Sequence, residues 1–141
     1  SSMSNSTAAS KDSEGIAQVS TTYVAMTRDA AGKISSCVID ASQSSVSFTQ
    51  QGKITSDLAA PPQTKNEMKE AYGLKQASGI GKEWFEQAEA FAGYAAGKTP
   101  QEISGIFVDE KGYPVTDDIK SSVTISIADF KAAVEKASSG A

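Results

Sequence analysis

The sequence predicts an α+β fold: a small antiparallel sheet, formed by an N-terminal strand meander plus one C-terminal strand, packed against about four helices. Three observations carry this. Residues 16–54 are rich in Val, Ile, Thr, Tyr and Phe between turn residues, as strands are. Residues 64–105 hold helix-start signals and an apolar stripe of helical spacing. The last third holds one more alternating run and then an amphipathic segment. Strands grouped first and helices second indicate α+β rather than a parallel α/β sheet. At 141 residues the chain suits a single domain with its own core, placed at 16–141.

Residues 1–15, Ser/Thr/Asn/Ala-rich with Met3 as their one large apolar side chain, bury too little to repay ordering and read as a disordered polar tether. The first strand is expected over 19–27. Asp29-Ala30-Ala31-Gly32 then turns the chain, with Gly32 free to take positive φ, and 33–40 returns antiparallel. Val46 and Phe48 alternate into a third strand. Gly32-Lys33-Ile34-Ser35-Ser36 recurs as Gly52-Lys53-Ile54-Thr55-Ser56, which reads as repeated turn chemistry. Pro61-Pro62 ends the strands, and Thr64 with Glu67 forms a capping box for a short helix stopped by Gly73. A longer helix begins near Gly81, stacks Trp84, Ala88, Phe91 and Ala95 on one face, and ends by Gly97. Thr99-Pro100-Gln101-Glu102 starts another short helix. A small hairpin or loop surrounds Asp109-Glu110-Lys111-Gly112. Val123, Ile125 and Ile127 alternate as the final strand, and Phe130, Ala133, Val134 and Ala137 line a last helix capped by Ser126 or Asp129.

Composition narrows function. Thirteen basic against seventeen acidic residues give a net charge of −4, which disfavours nucleic acid as a partner. The absence of histidine removes the usual general base and metal ligand. One cysteine, Cys37, permits no internal disulfide or thiolate metal cage and reads as a buried inert thiol. Apolar runs are far shorter than the roughly 20 residues a membrane span needs. Membrane attachment is expected only through an N-terminal anchor removed ahead of this sequence.

The best candidate for an anion site is Ser78-Gly79-Ile80-Gly81-Lys82, set before the longest helix where free amides and the dipole favour negative charge. It is neither a P-loop nor a dinucleotide fingerprint, since Gln76 and Trp84 stand where glycines belong, and a plain helix-start loop is the competing account. Glu83, Glu86 and Glu89 read as a solvated helix face. Trp84, Phe85, Phe91 and Tyr94 read as core packing, with stacking on a flat ligand as the alternative. Asp109-Glu110 and Asp117-Asp118 lack the ordered spacing of a calcium loop.

The segment 118–126, with Asp118, Ser121, Ser122 and Thr124, followed by Phe130-Lys131-Ala132-Ala133-Val134, resembles the closing segment of the bacterial FMN-binding domain family. There an Asp precedes a Ser-Gly-Ala-Thr motif and an amphipathic helix. The hairpin at 24–38 resembles that family's opening, and the two stretches cover about half the chain. Gly97-Lys98-Thr99-Pro100-Gln101-Glu102 is similar to a helix start in surface lipoproteins of Gram-positive anaerobes. The resemblance implies an extracytoplasmic, lipid-anchored domain at the cell surface and FMN joined through its phosphate to Thr124. Here Ser122 replaces the motif glycine and Val123 its alanine, placing side chains where backbone must approach a phosphate, which argues against the covalent bond. Three readings follow: a binding domain holding flavin or another small anionic ligand weakly, a protein-interaction or adhesion module, and an electron-transfer flavoprotein with FMN on Thr124. Enzyme chemistry ranks behind them, because no nucleophile has an evident base.

Overall fold

A computed structural model of the chain describes residues 2, 3 and 5–140. Its elements are β1 (Ser2–Met3), β2 (Gly15–Arg28), β3 (Ile34–Phe48), α1 (Lys65–Met68) with a 3-10 turn over Lys69–Tyr72, α2 (Trp84–Ala95), α3 (Pro100–Ser104), α4 (Asp117–Lys120) and α5 (Ala128–Ser139). The fold is α+β. Its antiparallel sheet runs in the order β1-β2-β3 and is dominated by the long β2–β3 hairpin.

Sequence chemistry builds that hairpin. Asp29 Oδ1 accepts the amides of Ala31 and Lys33, both at 2.9 Å, while Gly32 takes φ +77°. The same turn returns at Thr49–Lys53 around Gly52 and at Asp109–Tyr113 around Gly112, each closed by two backbone bonds, from the first amide to the fifth carbonyl and from the fourth amide to the first carbonyl. The repeated Gly-Lys-Ile fragment is thus repeated turn chemistry. Two strand boundaries differ from expectation. The stretch Ile34–Phe48 is one strand, because Ser42, Gln43, Ser44 and Ser45, although turn-prone, pair directly with Thr21, Ser20, Val19 and Gln18 in turn. The apolar alternation at Val123, Ile125 and Ile127 is not a strand: Val123 and Ile127 are buried, but the backbone turns and the Thr124 amide is bound by a side chain. Helix α4 is a single turn that the sequence reading left out. The last helix begins at Ala128 after Ile127, with no side-chain cap from Ser126 or Asp129.

All helices lie toward one face of the hairpin, where Val24, Met26, Cys37, Ile39 and Ala41 point; α2 packs on β3 and α5 on β2. Tyr23 and Val38 face the opposite, exposed side. Phe130 joins the helices, edge-on to Trp84 at 5.7 Å and to Phe91 at 5.3 Å between ring centroids. Such aromatic pairs add about 0.5–1.5 kcal/mol beyond area burial.

The segment read as a tether runs back along β2. Thr7 exchanges backbone bonds with Ile16 at 2.8 and 2.9 Å, and Ser6 Oγ accepts the Gln18 amide at 2.9 Å. Gly15 makes room for this approach, since a Cβ there would stand 2.5 Å from the Phe48 ring and 2.6 Å from the Ala9 nitrogen. Ser1, Ser4 and Ala141 lie outside the described residues.

Candidate ligand site

The two segments singled out by sequence meet at one side chain that the reading overlooked. Gln87 is 0% exposed on the core face of α2. Its Oε1 accepts from the Thr124 amide at 2.7 Å and the Thr124 hydroxyl at 3.3 Å. Its Nε2 donates to Ser78 Oγ at 3.1 Å and to the Lys82 carbonyl at 3.2 Å. A fully bonded buried amide of this kind fixes both loops and leaves nothing unpaired. The signal was available, because Gln87 falls three residues after Trp84, on the same stripe.

The start of α2 is neutralised from within. Glu83 is buried, and its carboxylate accepts the amides of Leu74 at 2.8 Å and Lys75 at 3.1 Å. Glu86 Oε2 accepts the Glu83 amide at 2.8 Å. Two carboxylates near the positive helix end supply the negative charge that a bound anion would otherwise provide. The reading of Glu83 as a solvated face is therefore corrected; of the three acids only Glu89 is exposed. Gly81 serves its φ of +63°, and a Cβ on Gly79 or Gly81 would meet nothing within 4 Å, so neither glycine marks a close approach.

Residues 121–124 do not fit a flavin phosphate ester. The Thr124 hydroxyl is engaged by Gln87, the Ser122 hydroxyl donates back to the Ile119 carbonyl at 3.2 Å, and the Val123 side chain is wholly buried. Ser121 is exposed at the end of α4. Cys37 is half-buried, and burial pushes its thiol above the ordinary value, opposite to activation. Beside α4, the Tyr94 hydroxyl donates to Asp118 at 2.7 Å; this bond first, and burial second, push the phenol up to about 12, while the same bond holds Asp118 below its ordinary value. Among the described residues no group of three His, Cys, Asp or Glu could hold a metal ion, and no helix is long and apolar enough to cross a membrane.

A different place gathers binding chemistry. Between the middle of the hairpin and the helices lies a cleft of about 450 Å³, its walls including Thr22, Gln43, Tyr72, Trp84, Tyr113 and Asp129. That size falls within the usual range for small-molecule sites, roughly 300–1,000 Å³. Lys65 also lines it, with Nζ 4.5 Å from the Tyr72 ring centroid and 5.1 Å from that of Trp84. Both distances are within cation–π reach. Among the described residues no carboxylate pairs with this ammonium. Lys65 and Tyr72 escaped notice because they belong to a short helix and the turn after it, with no spacing motif of their own.

No protein-family model, curated protein or solved structure matches the chain.

Proposed function

We propose that this is a binding domain that reversibly holds a small ligand bearing an aromatic ring and an anionic group, of which a flavin phosphate is one example, in the cleft around Lys65. The observation that carries the reading is the Lys65 ammonium, held against two aromatic rings on a cleft wall and paired with no carboxylate among the described residues, although Asp129 lines the same cleft. An ammonium so placed attracts an incoming anion, and the rings and the hydroxyl-bearing strands give a planar ligand a partly apolar wall. Reversible binding is preferred to a bond at Thr124 because that hydroxyl is already engaged by Gln87. Extracytoplasmic, lipid-anchored placement at the cell surface belongs to the same proposal and rests only on the resemblance of residues 24–38 and 118–134 to the FMN-binding family and of 97–102 to surface lipoproteins.

Titration with FMN and with riboflavin tests it, read by flavin polarisation and by the fluorescence of the single tryptophan, Trp84. FMN binds saturably and more tightly than riboflavin, and Lys65→Gln removes the difference. A charge-assisted contact of about 1.5–3 kcal/mol corresponds to roughly a tenfold or greater loss. Equal affinity for the two flavins in both proteins, or no saturation at millimolar FMN, refutes the reading.

A further inference from the structure

The two long edges of the hairpin are treated differently by the rest of the chain. Along β3 the outer edge is covered: Ile34 bonds to Gly97 and Lys98, the Asn66 amide donates to the Ile39 carbonyl, Ser42 bridges Thr64, and Phe48 bridges Ile54. On β2 the outer edge is covered only at one end. Ile16 pairs with Thr7, Gln18 with Ser6, and Ser20 lies opposite Ser2 of β1. These even-numbered residues turn their amides and carbonyls away from β3. The register with β3 continues unbroken to Thr27, so Thr22, Val24 and Met26 aim theirs the same way. None of these six backbone groups has a partner among the described residues.

From Thr21 to Thr27 this strand is β-prone and carries no charge and no proline, the devices that usually blunt an edge. Beside the start of this stretch a groove of about 380 Å³ runs between β2 and α5, lined by Ser20, Thr21 and Thr22 on the strand and by Asp129, Ala132, Ala133 and Lys136 on the helix. Two alanines on the helix wall leave room for a strand's side chains, and acidic and basic residues stand at either end. An open strand edge beside a small-residue helix face is the arrangement in which an added strand gains main-chain bonds from one wall and side-chain pockets from the other.

We infer that the edge of β2 over Thr22, Val24 and Met26 is a docking site for an extended, uncharged peptide segment of a partner protein. The segment adds antiparallel to β2, in line with β1. The chain's own N-terminal residues already occupy the neighbouring stretch of this edge in that mode, which fixes the direction. The partner residue opposite Thr22 turns its side chain toward Ala132 and Ala133, and this position accepts a small or β-branched side chain, because a bulky ring would meet α5.

Amide exchange followed by NMR tests this, with two probes: a capped peptide of about six alternating valines and threonines, and the same peptide N-methylated on every second residue so that its bonding edge loses its donors. The unmethylated peptide slows exchange at Thr22, Val24 and Met26 by about tenfold or more, and the methylated one does not. Ala132→Phe fills the groove and abolishes the slowing, while unchanged Trp84 fluorescence and unchanged exchange along β3 show that the fold is intact. No slowing at millimolar peptide overturns the inference, as does equal slowing by both peptides. Slowing that grows with protein concentration in the absence of peptide identifies a second copy as the occupant and overturns it too.

Discussion

Replacing Gln87 by leucine keeps nearly the same volume on the core face of α2 and deletes four hydrogen bonds, at 2.7, 3.1, 3.2 and 3.3 Å. The Ser78 and Thr124 hydroxyls, both on part-exposed residues, can rotate to new partners. The Thr124 amide and the Lys82 carbonyl are fixed backbone groups facing a residue with no exposed surface, and each is left unpaired. Stranding such a group costs about 1–3 kcal/mol, and the leucine regains part of this because its apolar side chain is cheaper to bury than an amide. The net loss is therefore about 3 kcal/mol, a sizeable share of the roughly 5–15 kcal/mol expected for a domain. With an m value of about 2 kcal/mol/M, the urea midpoint falls by about 1.5 M. Trp84 fluorescence and far-UV circular dichroism follow the transition, and they should coincide if unfolding is two-state. A fall below about 0.3 M, or unchanged protection of the Thr124 amide from exchange, refutes the claim that Gln87 ties the two loops together.

Two further outcomes follow from local geometry. Gly112→Ala costs more than Gly52→Ala, although both glycines have similar φ, +84° and +81°. Each pays about 1–2 kcal/mol for the left-handed backbone. Only the Gly112 Cβ meets the Ser126 hydroxyl at 2.4 Å and the Ala128 Cβ at 3.0 Å, so equal urea midpoints would sink the comparison. For Tyr94 and Asp118, absorbance at alkaline pH shows a late phenolate step near 12 that disappears in Tyr94→Phe. The sign differs for the two partners. The raised phenol contributes stability below its ordinary value and loses it as pH rises through about 12, whereas the lowered carboxyl contributes above its ordinary range and loses it as pH falls through its depressed value. Carboxyl NMR titration of Tyr94→Phe then finds Asp118 moved upward; no movement would mean that the 2.7 Å bond does not form in solution.

Where a single residue type has one local role, the sequence predicted the fold well. Thr64 and Thr99 accept the amides of Glu67 and Glu102 and start helices where helix starts were expected. Gly32 and Gly52 sit in positive-φ turns, and the stripe of Trp84, Ala88, Phe91 and Ala95 is buried. Misreadings occur where tertiary contacts decide. Val123 and Ile127 have strand-like spacing, yet they belong to no strand, and they are buried in the core that the helices share with β3. The strands expected at 33–40 and around Val46 and Phe48 are one, because cross-strand pairing of Ser42–Ser45 with β2 holds the stretch between them extended. A period of two is evidence of alternating burial, and a strand is only one way to produce it.

The candidate site was harder to read for a related reason. A helix start after glycines presents unpaired amides in sequence, but whether they await an anion depends on which carboxylates the fold brings back. Here Glu83 and Glu86 come from the helix's own first turn and need no outside partner. The ammonium in the cleft wall is Lys65, and its position becomes visible only when the 3-10 turn carrying Tyr72 brings that ring beside the ammonium and α2 supplies Trp84. No spacing rule links Lys65 to Trp84 across 18 intervening positions. The loop chosen from sequence and the cleft chosen from structure still share a support, because the Ser78–Lys82 loop and the Thr124 loop are joined through Gln87, three residues along α2 from the tryptophan in the cleft wall. Loosening that joint by Gln87→Leu should therefore shift Trp84 and weaken whatever the cleft holds, even though Gln87 itself is buried away from it. If FMN affinity stays unchanged in a folded Gln87→Leu protein, the loops and the cleft are independent.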